Sequence, residues 1–390
     1  MNPLALLFLL LPLAALSGWV LGRRRSERTS GARVSELSTS YFRGLNYLLN
    51  EQPDKAIEVF LKLADINRDT VETHLALGNL FRRRGEVDRA IRVHQHLIAR
   101  PNLSREEKTA VLLELGEDYM RAGLLDRAET LFADLVAMDA LAPPALKHLI
   151  SIYQHERDWN KAIEHARRLQ VASGEPQVAL IAQFHCELAE GARLRSDLDA
   201  ARRSIADALT VDPDCLRAYL IRGYVEAGAG NFEAAIEAFE RVAELDVDYM
   251  PEILSALLDS YARAQRMDRA EKFLLGIIER YQGVSPVLAL ARMYATTRGE
   301  AAAVGFLNRI LRQRPSVRAL MALIDVQLHG ADGETRQSLL ALRELAQKLV
   351  EGKSMYRCTQ CGFGAKALHW QCPSCKSWGT VRPIHGVIGE

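Results

Sequence analysis

The chain has 390 residues, 25% of them charged and 7% aromatic, with a net charge of +1. That length exceeds what one hydrophobic core ordinarily fills, so several domains or a repeat array is expected. Near-neutrality argues against a broad nucleic-acid footprint, and the dominance of Ala, Leu, Arg and Glu favours helix over strand.

No residue from Pro3 to Leu21 is charged, and the run is mostly Leu and Ala. At about 1.5 Å per residue it spans ~28 Å, close to the ~30 Å hydrocarbon core of a bilayer. Arg23, Arg24, Arg25 and Arg28 follow it immediately. A cleaved secretory signal is the competing reading, but such signals carry their basic residues before the apolar run. The pattern therefore predicts a transmembrane anchor over residues 1–22, with the bulk of the chain in the cytoplasm by the positive-inside rule. Residues 23–36 read as a basic, polar stalk.

From residue 37 the informative signal is internal periodicity. Gly44–Tyr47–Ala56–Phe60 recurs 34 residues later as Gly78–Phe81–Ala90–His94, and again as Gly116–Tyr119–Ala128–Phe132. Tyr153 and Ala162 keep the frame with Ile150 in the glycine position. Ala201, Ala208 and Pro213 carry the next unit, then Gly223, Ala235 and Phe239, then Tyr261 and Ala270, then Tyr294, Ala303 and Pro315. The small residues are expected to let the two helices of a hairpin approach closely. Turn sequences such as Arg84–Gly85–Glu86, Ala122–Gly123–Leu124 and Gly230–Asn231–Phe232 separate them. The pattern resembles the tetratricopeptide repeat, which implies about eight helical hairpins plus a capping unit over residues 37–351, stacked as an all-α superhelix. In such an array the first helix of each hairpin lines a concave face. The frame puts Asn79, Arg82, Arg83, Glu117, Arg121, Gln154, Arg193 and Arg263 there, as candidate contacts for an acidic partner segment. The plainer reading of Arg82–Arg84 is a set of cations at a helix C-terminus, where the dipole favours them.

Of six cysteines, Cys186 and Cys215 stand apart in helical sequence and read as small buried hydrophobes. Cys358, Cys361, Cys372 and Cys375 form two CxxC pairs in the last tenth of the chain, a spacing suited to four thiolates around one tetrahedral metal. The tail resembles a rubredoxin-like or zinc-ribbon module over residues 352–390. Zinc and iron both suit four thiolates, and spacing does not choose between them. So small a module is expected to dock on the repeats, because Phe363, Trp370 and Trp378 need apolar cover. Lys376 stands where rubredoxins carry Gly, which weighs against a redox role. Gly228–Ala229–Gly230 lacks the further glycine and strand of a dinucleotide loop, the histidines show no metal-protease spacing, and no P-loop or nucleophile elbow occurs. The residues indicate a non-enzymatic scaffold.

The order of anchor, arginine cluster, repeat array and terminal YRCxxCGF…WxCPSCxxWG resembles the lipopolysaccharide assembly protein B family of Gram-negative bacteria. That resemblance implies a single-pass inner-membrane protein with a periplasmic N-terminus, regulating lipopolysaccharide synthesis. It implies as partners a membrane-anchored AAA protease, the lipid A-committing deacetylase it degrades, and an inner-membrane protein that senses lipopolysaccharide. It also implies that Cys358, Cys361, Cys372 and Cys375 hold one structural metal ion, iron or zinc. A general scaffold for other envelope-synthesis proteins, a redox-active iron protein and a nucleic-acid-binding ribbon are the alternative readings.

Overall fold

The computed structural model describes residues 42–44, 46–47, 52–66 and 71–390. The predicted anchor and stalk lie outside the described residues, and among the described residues no helix is long and apolar enough to cross a membrane. Two compact units are found, one ending at Glu156 and including Val171–Gly174, the other comprising Arg157–Gln170 and Glu175–Glu390.

In the first unit lie α1 (Pro53–Ile66), α2 (Val71–Arg83), α3 (Val87–Ile98), α4 (Arg105–Arg121), α5 (Leu125–Ala137) and α6 (Ala142–Glu156). In the second, α7 (Trp159–Ser173), whose last three residues fall in the first unit, is followed by α8 (Val178–Leu194), α9 (Leu198–Val211), α10 (Leu216–Gly228) and α11 (Phe232–Leu245). Then come α12 (Met250–Arg263), α13 (Met267–Arg280), α14 (Ser285–Arg298), α15 (Glu300–Gln313), α16 (Val317–His329) and α17 (Gly333–Val350). Each helix follows from an apolar stripe at helical spacing. In α11 the buried residues are Ala235, Ile236, Ala238, Phe239, Val242 and Ala243, a single face of a 3.6-residue period. Where a cap is needed the sequence supplies it: Ser104 and Glu107 close a capping box at the start of α4.

The alanine of each repeat is the packing constant. Ala56, Ala90, Ala128, Ala162, Ala201, Ala235, Ala270 and Ala303 are all at 0% exposure. The glycines have a more specific cause than helix approach in general. A Cβ placed on Gly44, Gly78, Gly116 or Gly223 would fall 2.3–2.7 Å from the ring of Phe60, His94, Phe132 or Phe239 respectively. Each glycine thus makes room for a ring sixteen residues downstream. Where that downstream position is Ile205, Leu274 or Leu307, the glycine position holds Ala189, Leu258 or Ala291. Ala with Ile or Leu sums to nearly the volume of Gly with Phe, so those pairs conserve volume rather than residue type, whereas Leu258 with Leu274 is larger.

The second unit has a continuous core running from Ala182 to Leu323, against which Leu368 and Trp370 of the C-terminal tail pack. The tail forms a three-stranded antiparallel sheet in the order β2 (Gly364–Ala365), β1 (Tyr356–Cys358), β3 (Val381–Pro383). The helix α17 departs from the polar outer face expected of a capping unit: Leu342, Leu345 and Leu349 are all exposed.

Candidate metal centre

Both CxxC segments fold by the same hydrogen bonds. The amide of Gly362 donates to the Cys358 carbonyl at 3.0 Å and that of Cys358 to the Phe363 carbonyl at 2.8 Å. The amides of Lys376 and Cys372 repeat this with the carbonyls of Cys372 and Ser377, both at 2.9 Å. Each turn ends in a left-handed residue, Gly362 at φ 78° and Lys376 at φ 60°. Glycine takes that conformation freely, whereas Lys376 is held in it by the knuckle's hydrogen bonds.

The two turns bring the thiols together. Cys358 and Cys375 have their Sγ atoms 3.7 Å apart, as do Cys361 and Cys372, and all four Sγ atoms lie within 4.8 Å of one another. With metal–sulfur bonds of ~2.3 Å a regular tetrahedron has edges of ~3.8 Å, so this donor set fits a four-thiolate metal site. Cys358 Sγ lies 3.3 Å from the Thr380 hydroxyl, and the hydrogen bond between them holds the Cys358 thiol down to about 6. A hydrogen bond from Ser377 lowers Cys375, while burial pushes Cys372 up to about 11. Thr380 and Ser377 carry no spacing signal of their own, being fixed by the turn and by β3.

Residues 356–383 match the rubredoxin metal binding domain, and residues 73–106, 113–176, 186–249 and 226–285 match tetratricopeptide repeats. The chain is 39% identical to lipopolysaccharide assembly protein B of Escherichia coli (strain K12), over 99% of this chain and 100% of that one. It is 35% identical to the protein of the same name from Haemophilus influenzae, over 97% and 98% of the two chains. The chain belongs to the lipopolysaccharide assembly protein B family. Four cysteines in this ribbon hold one structural metal ion, as its family model and the thiol geometry both require.

In this family member the ribbon docks on the repeats of the second unit, and the tryptophans do much of it. Trp370 stacks on Tyr249 with ring centres 5.3 Å apart and planes 3° from parallel. Trp378 meets Phe184 and Trp159 edge-on at 6.1 and 6.4 Å. Between them the buried Arg217 guanidinium lies 5.3 Å from the Trp370 ring and 5.7 Å from Trp378, held from below by Glu187 at 2.8 Å. Tyr356 donates to Glu252, Arg382 to Asp246, and His385 lies 3.1 Å from Asp248. The Glu390 carboxylate accepts from the Ser285 amide and hydroxyl, both at 2.8 Å, and from Arg318 at 3.0 Å. Phe363 differs from the expectation: it packs within the ribbon's own small core with Cys358, Cys372 and Val381.

Of the residues placed on the concave face by frame, Arg82 and Glu117 meet at 2.8 Å. Arg82 also binds Glu114 and Asp118, so one guanidinium faces three carboxylates. His148, 3.2 Å from Glu117, lowers its carboxyl further. Arg83 and Arg121 are exposed, and Asn79 and Gln154 half-buried. In the second unit Arg193 binds Glu190 at 2.7 Å and Arg263 binds Asp259 at 2.9 Å. Sequence reasoning missed the buried His94, whose Nδ1 lies 2.5 Å from the equally buried Asp118. Its signal was present: it is the one histidine in a position that three other repeats give to Phe.

Proposed function

We propose that this protein is a membrane-tethered scaffold in the control of lipopolysaccharide synthesis, acting as an adaptor through which a membrane-anchored AAA protease degrades the lipid A-committing deacetylase. The observation that carries the reading is the match, end to end, to proteins named lipopolysaccharide assembly protein B. The repeats supply surfaces for partners, and the apolar run of residues 3–21 supplies the tether in the inner membrane. Holding client and protease beside one membrane raises their effective concentration. In this reading residues 1–22 are the anchor, 23–36 the stalk, 37–351 the array and 352–390 the metal module. Arg83, Arg121, Gln154, Arg193 and Arg263 face partners, while Asn79, Arg82 and Glu117 shape that face from within. An inner-membrane protein that senses lipopolysaccharide restrains the activity.

The test is a decay curve of the deacetylase after protein synthesis is stopped, in cells with the gene, without it, and with forms lacking residues 1–22 or carrying Cys361→Ser. The full chain restores rapid turnover and the altered forms do so poorly. Equal half-lives with and without the protein would remove the adaptor mechanism.

A further inference from the structure

Cys186 and Cys215, apart in sequence and read from it as small buried hydrophobes, meet with their Sγ atoms 3.7 Å apart. Cys186 projects from α8 and Cys215 precedes α10, the first helices of two neighbouring repeats, and both thiols are buried. The core around them is otherwise built from Ala, Leu, Ile, Val and aromatic residues. Cys215 sits at the N-cap of α10 yet makes no capping hydrogen bond, so capping does not account for it. One residue beyond Cys186 and two beyond Cys215, Glu187 and Arg217 form the ion pair that carries Trp370 and Trp378 of the metal ribbon.

We propose that Cys186 and Cys215 are a dithiol–disulfide site, oxidised by a small-molecule disulfide to an intrachain bond that pins α8 to α10 beneath the docked ribbon. Cys215 is the attacking sulfur, because it sits at the N-terminus of α10, where the helix dipole favours a thiolate, and its contact with Cys186 lowers its thiol in the same direction. The Cys215 thiolate attacks one sulfur of the oxidant, whose S–S bond breaks and releases one thiol bearing the proton that Cys215 gave up. Cys186 then loses its proton, attacks Cys215 Sγ in the mixed disulfide and expels the second thiol, which takes that proton. Two protein thiols are oxidised and one small disulfide is reduced to two thiols. Because both sulfurs are buried, the oxidant enters through local opening of the α8–α10 junction.

The experiment treats the full metal-loaded chain with graded ratios of oxidised to reduced glutathione, blocks free thiols with N-ethylmaleimide, and maps the digest by mass spectrometry without reduction. The expected result is a Cys186–Cys215 peptide pair, lighter by two hydrogens, whose yield follows the glutathione ratio. The oxidised chain also melts several degrees higher than the reduced one, because the bond closes a long loop of the unfolded chain. Cys186→Ala and Cys215→Ala each abolish both the linked peptide and the shift. Recovery of both cysteines as maleimide adducts at every ratio overturns the proposal. So does a glutathione adduct on Cys215 that never resolves, or a linkage confined to Cys358, Cys361, Cys372 and Cys375.

Discussion

The pairing of glycine with a downstream ring can be tested at Gly223 and Phe239. A Cβ on Gly223 would meet Phe239 Cε1 at 2.4 Å, Cδ1 at 2.6 Å and Cζ at 2.7 Å, against the 3.5–4.0 Å of ordinary carbon contacts. The Phe239 ring is fully buried, with Tyr224 edge-on to it at 5.3 Å, so it has little room to swing away. Overpacking of this kind costs ~1–3 kcal/mol, while alanine gains ~1 kcal/mol over glycine in helix propensity. Gly223→Ala alone therefore gives a small net loss that is hard to interpret. Phe239→Ala removes the ring at a cost of about 3–5 kcal/mol. In the double variant the new Cβ enters the vacated space, the clash vanishes and the propensity gain remains. The double variant should match or slightly exceed Phe239→Ala in stability, giving a coupling of ~1–3 kcal/mol in which the propensity contribution cancels. Gly228→Ala, with nothing within 4 Å of its Cβ, is the control and shows the propensity gain alone. Because cooperativity can break down along a repeat array, the local readout is native-state hydrogen exchange of the amides in residues 216–245. Effects of Gly223→Ala that are the same with and without the ring, to within ~0.5 kcal/mol, would refute the reasoning.

Cys361→Ser and Cys372→Ser each leave three thiolates, and the purified chains should lose their metal and the order of residues 356–383 while the helical signal by circular dichroism persists; elemental analysis checks the first part. Metal affinity should rise with pH, since protons compete for the thiolates. At pH near 7.5 binding should release fewer than four protons, because Cys358, held at about 6, is already ionised, whereas Cys372, pushed to about 11, must give its proton up; calorimetry in buffers of different ionisation enthalpy counts them. Gln265→Gly should stabilise the second unit by roughly 0.5–1 kcal/mol, seen as a raised unfolding midpoint, because Gln265 holds φ at 57° where glycine is unstrained. Arg217→Ala should loosen the ribbon, leaving the half-buried Glu187 without its partner, and exchange at Trp370 and Trp378 should speed up while metal content stays constant.

The repeats and the cysteine ligands were legible because both are local spacings. An alanine twelve residues after a glycine, or two CxxC pairs, defines geometry within one supersecondary unit whatever surrounds it. The compensating pairs were harder to read. Ala189 with Ile205 and Ala291 with Leu307 occupy the same positions as Gly223 with Phe239, and what they share is summed volume rather than any residue type. The hairpin turns show the same limit. Gly85, Gly123 and Gly230 advertise a left-handed residue, but Arg157, Ser196 and Gln265 adopt the same conformation under the constraint of the helices on either side. Contacts across many repeats left no spacing to find: Trp370 on Tyr249, Glu390 on Ser285, and Cys186 beside Cys215 arise when the helices stack and the ribbon settles on them. Periodicity determined the elements and the metal ligands, because those depend on neighbours along the chain. Only packing in three dimensions decided which polar and thiol groups meet, because that depends on neighbours in space.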